Sequence, residues 1–241
     1  MCKNDKEKFK KYYYKYLNYT GNKKIVCSKD RDKSINDLYY PVIIGKIDDE
    51  TIYSINSKEY EKLKLKLDEE KSKNKKYIIK IINVYFEDKK EKVVIQEMIR
   101  MSKTNRATIN ISEVISIDDK YSEAYFNSFE YNKDIEYKEK KWEKIKKYKY
   151  INGIVKENKI VSLGFVSNIN YNGANIVIQT KEKYRNKGYG KSIVEKISID
   201  LLKDGIMPIY WVNEENNMSK KLAKSIGFEE EAREIVVKYK K

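Results

Sequence analysis

The chain has 241 residues, a hydrophobic content of 40% and a formal net charge of +15 at pH 7. This hydrophobic content is typical of a globular protein and argues against a wholly disordered chain. No run of residues approaches the 18 or more apolar positions of a membrane-spanning helix, so we expect no membrane partner. The charged start of the sequence lacks the apolar core of a signal peptide, and we therefore expect a cytoplasmic protein.

The excess of basic residues suggests nucleic-acid binding, but the kind of basic residue weakens that interpretation. Of the 52 basic residues only five are arginine, whereas proteins that read phosphates and bases rely on the bidentate arginine side chain. We interpret the lysines as a solvated coat and expect no nucleic-acid partner. The absence of histidine, with Cys2 and Cys27 as the two cysteines, argues against an ordinary zinc site and against a disulfide scaffold.

The first half of the chain predicts a mixed α+β region. The pattern indicates helices at 5–19 and 58–73, and strands at 41–45, 51–55, 77–86, 92–99 and 108–114.

Aromatic residues share one stripe of the first predicted helix, which Gly21 is expected to close. The stripe could stack on bases, but this spacing is more typical of a face that packs against a core. It consists of Phe9, Tyr12, Tyr13, Tyr16 and Leu17.

The second half predicts two helical pieces between 121 and 150, then a series of short strands and two further helices. Strands are expected at 150–156, 159–168, 174–180, 208–213 and 234–239. The helix after the third of these strands should bury Ile193, Val194, Ile197 and Leu201, and the last helix should run from about Asn217 to Gly227.

The most informative segment joins the strand at 174–180 to the next helix and reads Arg185-Asn186-Lys187-Gly188-Tyr189-Gly190-Lys191. We call residues 185–191 the glycine loop. Glycines let a backbone turn and approach a ligand, and a helix start adds N–H donors and the positive end of the helix dipole. The loop therefore predicts a pyrophosphate site, with an ordinary helix-capping turn as the alternative. The pattern R/Q-x-x-G-x-G/A is expected by chance only about 0.015 times in a chain of this composition, and neither a Walker loop nor a Rossmann fingerprint is present.

This strand, loop and helix resemble motif A of the GNAT superfamily of acyl-CoA-dependent N-acyltransferases. A second element, with Asn216, Ser219, Leu222 and Gly227-Phe228, resembles the N-x-x-A/S…L-x-x-x-x-G-F element of that superfamily. The long first half and the spacing I-x-T-x-x-x-Y-R-N-K-G-Y-G resemble, more narrowly, the subgroup with acetyltransferases of the zwittermicin-resistance type.

The resemblance implies an α/β (α+β) fold, with a mixed, mostly antiparallel twisted sheet flanked by helices and preceded by a smaller α+β region. It implies that residues 1–118 select the acceptor and that residues 119–241 form the catalytic domain. Acetyl-CoA would be the cosubstrate, with no metal. The implied acetyl-CoA-binding residues are Ile178, Thr180, Arg185, Asn186, Lys187, Gly188, Tyr189, Gly190, Lys191, Asn216 and Ser219.

Each part of this set has its own implied role. Ile178 and Thr180 would offer backbone groups to the pantetheine arm, where their strand splays from its neighbour. The glycine loop would wrap the pyrophosphate with backbone amides, and Lys187 and Lys191 would neutralise phosphate charge. Asn216 and Ser219 would contact the pantetheine or the thiol, although Asn216 or Asn217 could instead cap the last helix.

The resemblance also implies that a primary amine, expected to belong to a small molecule, attacks the thioester directly. The amine must first lose a proton, and several carboxylates stay open as the base: Glu113, Glu123, Glu130 and Glu214. Many relatives carry a tyrosine as acid four residues before the final glycine, where this chain has Ala223, so Tyr210, Ser219 or solvent would protonate the thiolate. An acyl-CoA-binding regulator without turnover is the alternative, and a basic nucleic-acid-binding protein is a weaker one.

Overall fold

The structure is a computed structural model that describes residues 3–34, 38–69, 74–105, 109–129 and 134–240. The chain forms two compact units. The first comprises Met1–Arg100, Val212–Glu215 and Glu230–Lys241, and the second comprises Met101–Trp211 and Asn216–Glu229. These units do not coincide with the division at residue 118, which concerns function and stays a prediction.

The described residues contain seven α-helices and ten strands. In chain order they are α1 Lys3–Leu17, β1 Ile25–Cys27, β2 Val42–Ile47, β3 Glu50–Ile55, α2 Tyr60–Asp68, α3 Lys75–Asp88, β4 Val93–Ser102, β5 Ile115–Ser116, α4 Ser122–Phe126, α5 Ile135–Lys146, β6 Lys149–Lys156, β7 Lys159–Asn170, β8 Gly173–Thr180, α6 Tyr189–Lys203, β9 Met207–Asn213, α7 Asn217–Ser225 and β10 Glu229–Tyr239.

In the first unit the strand order is β1-β3-β2-β10-β4. β1 and β3 are parallel, whereas β2 is antiparallel to both β3 and β10. Helices α2 and α3 pack an apolar face on this sheet, with Leu63, Ile82 and Phe86 fully buried. β4 continues into the second unit, to which its residues Met101 and Ser102 belong.

The aromatic stripe of α1 is a packing face, as its spacing predicts. Phe9, Tyr13 and Leu17 are fully buried, and Tyr12 and Tyr16 nearly so. These rings are therefore not available to stack on bases. The predicted role of Gly21 is wrong, because α1 ends at Leu17 and Asn18 takes the left-handed conformation, with φ of 60°. The Tyr19 N–H then donates to the Tyr14 carbonyl at 2.8 Å, which closes the helix end.

The predicted strand at 77–86 is wrong, because these residues lie in helix α3. Asn74 caps that helix, its side chain accepting a hydrogen bond from the Lys76 N–H at 2.9 Å. Ile78, Ile82 and Tyr85 recur at helical spacing and form its buried face. β-Branched and aromatic composition favours a strand, but the burial of this face decides for the helix.

The predicted strand at 108–114 is also wrong over residues 109–114, which have no regular structure. The strand in this region is the two-residue β5. Thr108 lies outside the described residues.

In the second unit the strand order is β9-β8-β7-β6-β5, antiparallel except for the parallel pair β8–β9. The predicted mixed, mostly antiparallel sheet flanked by helices is confirmed. On α6 the predicted face of Ile193, Val194, Ile197 and Leu201 is fully buried. Gly164 of β7 allows α6 to approach, since a Cβ on this residue would lie 2.5 Å from Ile193.

Each unit also buries an ion pair. In the first unit the Arg100 guanidinium donates to the Glu234 carboxylate at 2.7 Å and to the Tyr12 hydroxyl at 3.0 Å. In the second unit Lys103 pairs with Glu195, and both side chains are almost completely inaccessible. Among the described residues, no helix has the length and apolar character needed to cross a membrane.

Candidate functional site

Strands β8 and β9 diverge ahead of the glycine loop. Within the described residues they pair from Gly173 and Met207 to Asn175 and Ile209. β8 continues beyond this point to Thr180, paired with β7 on its other side. The predicted splay of the strand that carries Ile178 and Thr180 is therefore present in the structure.

The alternation of backbone hydrogen bonds along β8 shows which N–H and C=O groups face the edge where β9 diverges. The Lys181 N–H donates to the Val161 carbonyl at 3.0 Å, and bonds in an antiparallel ladder recur at every second residue. Odd-numbered residues of β8 therefore bond to β7, whereas Ile178 and Thr180 turn their N–H and C=O groups to the opposite edge. Asn172 also has an even number, and its carbonyl accepts a hydrogen bond from the Met207 N–H of β9 at 2.9 Å, which is consistent with this alternation.

Two side chains hold the end of β8. The Thr180 hydroxyl lies 2.7 Å from the Ser162 hydroxyl on β7, and the Thr180 carbonyl accepts a 3.4 Å hydrogen bond from Arg185 Nε. Ser162 is buried within residues 160–166 of β7, a run that is otherwise free of polar side chains. Sequence reasoning missed it, and a lone serine among apolar residues was the available signal.

The glycine loop turns through two left-handed residues before α6 begins. Asn186 has φ of 63° and Gly188 has φ of 83°, a conformation that glycine adopts without steric cost. Gly188 is the N-cap of α6, and its carbonyl accepts from the Ser192 N–H at 3.1 Å. The first N–H groups of an α-helix have no acceptor within the helix, so this turn presents backbone donors as an anion site requires.

The basic side chains of the glycine loop are exposed. Arg185, Lys187 and Lys191 all lie at the surface, and in the described part of the chain neither lysine forms an ion pair. The Lys187 ammonium lies 5.2 Å from the centre of the Tyr184 ring. These two lysine charges are therefore uncompensated and free to meet an anion.

Close packing around position 190 requires a glycine there, which the sequence alone did not reveal. A Cβ on this residue would lie 2.9 Å from the Leu222 side chain of α7 and 3.5 Å from the Thr180 hydroxyl. The glycine therefore lets the start of α6 come close to the end of β8 and to the middle of α7. A direct contact between Gly190 and a ligand stays a prediction.

Asn216 caps helix α7. Its side-chain oxygen accepts a hydrogen bond from the Ser219 N–H at 3.0 Å, which confirms the capping alternative. A contact of Asn216 with a bound pantetheine stays a prediction. The NH₂ group of the Asn216 side chain would make that contact, since the side-chain oxygen is engaged in the cap.

Tyr210 and Ser219, the two candidate acids, lie together. Tyr210 is buried on β9, its ring 5.7 Å from Phe228. Burial raises the pKa of the Tyr210 hydroxyl, and a hydrogen bond with the Ser219 side chain offsets part of that rise. Tyr210 is therefore protonated at neutral pH, and the half-buried Ser219 is the more accessible hydroxyl of the two.

Ala223 occupies a fully buried position on α7, where its carbonyl accepts from the Phe228 N–H at 3.1 Å. A methyl group stands where many relatives carry a tyrosine, so this position supplies no proton donor.

The carboxylate candidates for a base are engaged elsewhere or undescribed. Glu113 pairs with Lys156 at 3.2 Å, and Glu123 accepts from the Asn158 amide at 3.0 Å. Glu214 belongs to the first unit and pairs with Arg233. Glu130 lies outside the described residues. Within the described residues, no group of three or more His, Cys, Asp or Glu side chains is arranged to hold a metal ion.

The match to a protein-family model falls on this site. Residues 153–237 match the family described as FR47-like protein, which is related to GNAT acetyltransferases. The matched segment contains β8, the glycine loop, α6 and α7. The resemblance to the GNAT superfamily is confirmed.

Solved structures of GNAT acetyltransferases resemble the chain at low sequence identity. An acetyltransferase of the GNAT family from Colwellia psychrerythraea is 12% identical, with 66% of this chain and 62% of that chain covered, and a TM-score of 0.49. A GCN5-related N-acetyltransferase-like protein from Streptococcus suis is 17% identical, with 73% and 74% covered, and a TM-score of 0.46. With TM-scores below 0.5, neither likeness identifies the fold by itself. No curated protein matches the chain significantly in sequence.

Proposed function

We propose that the protein is an N-acetyltransferase that moves the acetyl group of acetyl-CoA to a primary amine of a small molecule in the cytoplasm. One observation carries the proposal: the open edge of β8 is followed, after a short 3-10 turn at Glu182–Tyr184, by the glycine loop at the start of α6. The edge offers backbone groups to an extended pantetheine arm, as a neighbouring strand would. The loop offers N–H donors and two exposed lysines to a pyrophosphate.

Acetyl-CoA would supply an activated thioester carbonyl at the open edge of β8. A backbone N–H of Ile178 or Thr180 would donate to the carbonyl oxygen as negative charge develops there. The amine nitrogen would form its bond to the carbonyl carbon while the carbon–sulfur bond breaks. Solvent, Ser219 or Tyr210 would protonate the departing thiolate, and the amine would lose its own proton to solvent.

A non-catalytic acyl-CoA-binding regulator is the second candidate, and one observation favours it. The buried Ala223 methyl group leaves the usual position of the acid without a hydroxyl. Expulsion of a thiolate needs little help, however, because a thiol has a pKa near 8.5. Turnover without the tyrosine is therefore chemically reasonable.

Two measurements on the full chain separate these candidates. We expect millimolar acetyl-CoA to raise the melting temperature, because a ligand that binds only the folded state stabilises it. We expect at least one amine of a broad panel to release free thiol from acetyl-CoA. Stabilisation without thiol release from any amine would favour the regulator, and no stabilisation would contradict both candidates.

The division of labour between residues 1–118 and 119–241 is part of this proposal. Polar substitutions in the first segment should change the choice of amine more than the affinity for acetyl-CoA. The narrower relationship to zwittermicin-type resistance enzymes would be supported by an antibiotic amine among the accepted substrates.

A further inference from the structure

A groove of about 580 Å³ opens on the first unit, and none of the residues that line it is among those assigned to acetyl-CoA. Sites for small molecules commonly measure roughly 300–1,000 Å³, so the groove has a suitable size. Val94 and Ile95 of β4 contribute apolar surface, and the start of α3, the residues after β9 and β10 contribute charged side chains.

The groove is lined by more negative than positive side chains. Lys75 pairs with Glu97, and Arg233 pairs with Glu214. Glu215 adds a third carboxylate, for which the described part of the chain provides no ion-pair partner. The groove therefore carries one net negative charge on a protein whose formal net charge is +15.

The carboxylates are held in place by the backbone. The Glu214 N–H donates to the Glu97 carbonyl at 2.9 Å, which brings the two chain segments side by side. The Glu215 N–H donates to the Asn213 side chain at 2.8 Å, which fixes the turn that carries the third carboxylate. A hydrogen bond from Lys75 holds the pKa of Glu97 below its usual range, so that carboxylate stays ionised near neutral pH.

We propose that this groove binds a small molecule with a primary ammonium group, which pairs with Glu215 while its apolar body lies on Val94 and Ile95. An ammonium group would neutralise the one uncompensated charge, whereas an anion would meet three carboxylates. This site needs only residues of the first unit. It would stand whether or not the protein transfers acetyl groups.

The test uses the full chain without acetyl-CoA and two probes of equal shape, 2-phenylethylamine and 2-phenylethanol. Two-dimensional NMR would follow the backbone amide signals of Glu97 and Glu215 during each titration. We expect saturable shifts with the amine at millimolar concentration, and none with the alcohol.

Glu215→Gln and Glu61→Gln form a matched pair of variants. Both remove one carboxylate, but Glu61 is an exposed residue of α2 outside the groove. We expect the first variant to weaken amine binding at least tenfold and the second to leave it unchanged. Equal shifts with the alcohol, no saturation, or unchanged binding by Glu215→Gln would each overturn the proposal.

Discussion

Charged side chains differ in burial and pairing between the two units. The first unit has the pair Arg100 and Glu234, and the second has Lys187 and Lys191 of the glycine loop. The first two are 3% and 2% exposed and meet each other in a hydrogen-bonded pair. The two lysines of the glycine loop are exposed, and among the described residues they have no carboxylate partner. A buried charge must be paired if the fold is to be stable, whereas an exposed, unpaired charge costs the fold little and can meet a ligand. Substitutions of the two sets should therefore separate stability from binding.

The largest effect is expected for Glu234→Ala. This change leaves the Arg100 charge buried without its partner and should lower the free energy of unfolding by about 3–5 kcal/mol. Urea denaturation followed by circular dichroism measures it. The control is Arg233→Gln, which removes the neighbouring but more exposed pairs with Glu214 and Glu230 and should cost no more than about 1 kcal/mol. Equal losses for the two variants would remove the distinction between buried and exposed charge.

The opposite pattern is expected for the double variant Lys187→Gln/Lys191→Gln. The free energy of unfolding should change by less than about 0.5 kcal/mol, because both side chains are exposed. The dissociation constant for acetyl-CoA should rise about three- to thirtyfold, as two screened charge contacts are lost. Isothermal titration calorimetry measures the constant. Lys203→Gln, at the other end of α6, is the control and should bind as the wild type does.

A smaller effect is expected for the hydroxyl pair. Ser219→Ala and Tyr210→Phe should each lower kcat less than about tenfold if solvent can protonate the thiolate, since a positioned acid contributes typically about 10²–10⁴-fold. Steady-state thiol release measures this for the best amine of the panel. A loss above a hundredfold in one variant, with acetyl-CoA affinity unchanged, would identify that residue as the acid.

The smallest effect is expected on the loss of stability at acidic pH. Burial alone would raise the pKa of Glu59, but hydrogen bonds from Lys89 and Tyr85 outweigh it, and the pKa of Glu59 is lowered in the folded protein. Its stabilisation is therefore present above the unfolded pKa of about 4.3 and lost as pH falls through the folded value.

Glu59→Gln should accordingly flatten the decline of melting temperature below about pH 4.3, relative to wild type. Glu61→Gln, on the neighbouring surface of α2, should leave that decline unchanged. If the melting temperature of Glu59→Gln fell as steeply with decreasing pH as that of the wild type, the Glu59 carboxylate would not be responsible for the decline.

The same comparison explains what the sequence could predict. β8, the glycine loop and α6 were predictable because glycines, a helix start and clustered lysines are local signals. Helix α3 was misread because Ile78, Ile82 and Tyr85 have strand-favouring side chains, while their burial against the sheet of the first unit is a tertiary effect.

The buried charges left no local signal at all. Lys103 and Glu195 lie 92 positions apart, and Arg100 and Glu234 lie 134 positions apart. In the sequence each looks like one more member of a highly charged composition. The packing role of Gly190 was hidden for the same reason, because Leu222 reaches it from another helix.

The central claim, that the glycine loop binds acetyl-CoA, is tested most directly by comparing Gly188→Ala with Gly205→Ala in thermal denaturation. Both glycines have positive φ, 83° and 70°, and in the described part of the chain a Cβ on either would meet no non-neighbouring residue within 4 Å. Each substitution should cost about 1–2 kcal/mol of backbone strain. We predict that saturating acetyl-CoA raises the melting temperature of the wild type and of Gly205→Ala, but not of Gly188→Ala. An equal rise in both variants, or none in the wild type, would contradict the claim.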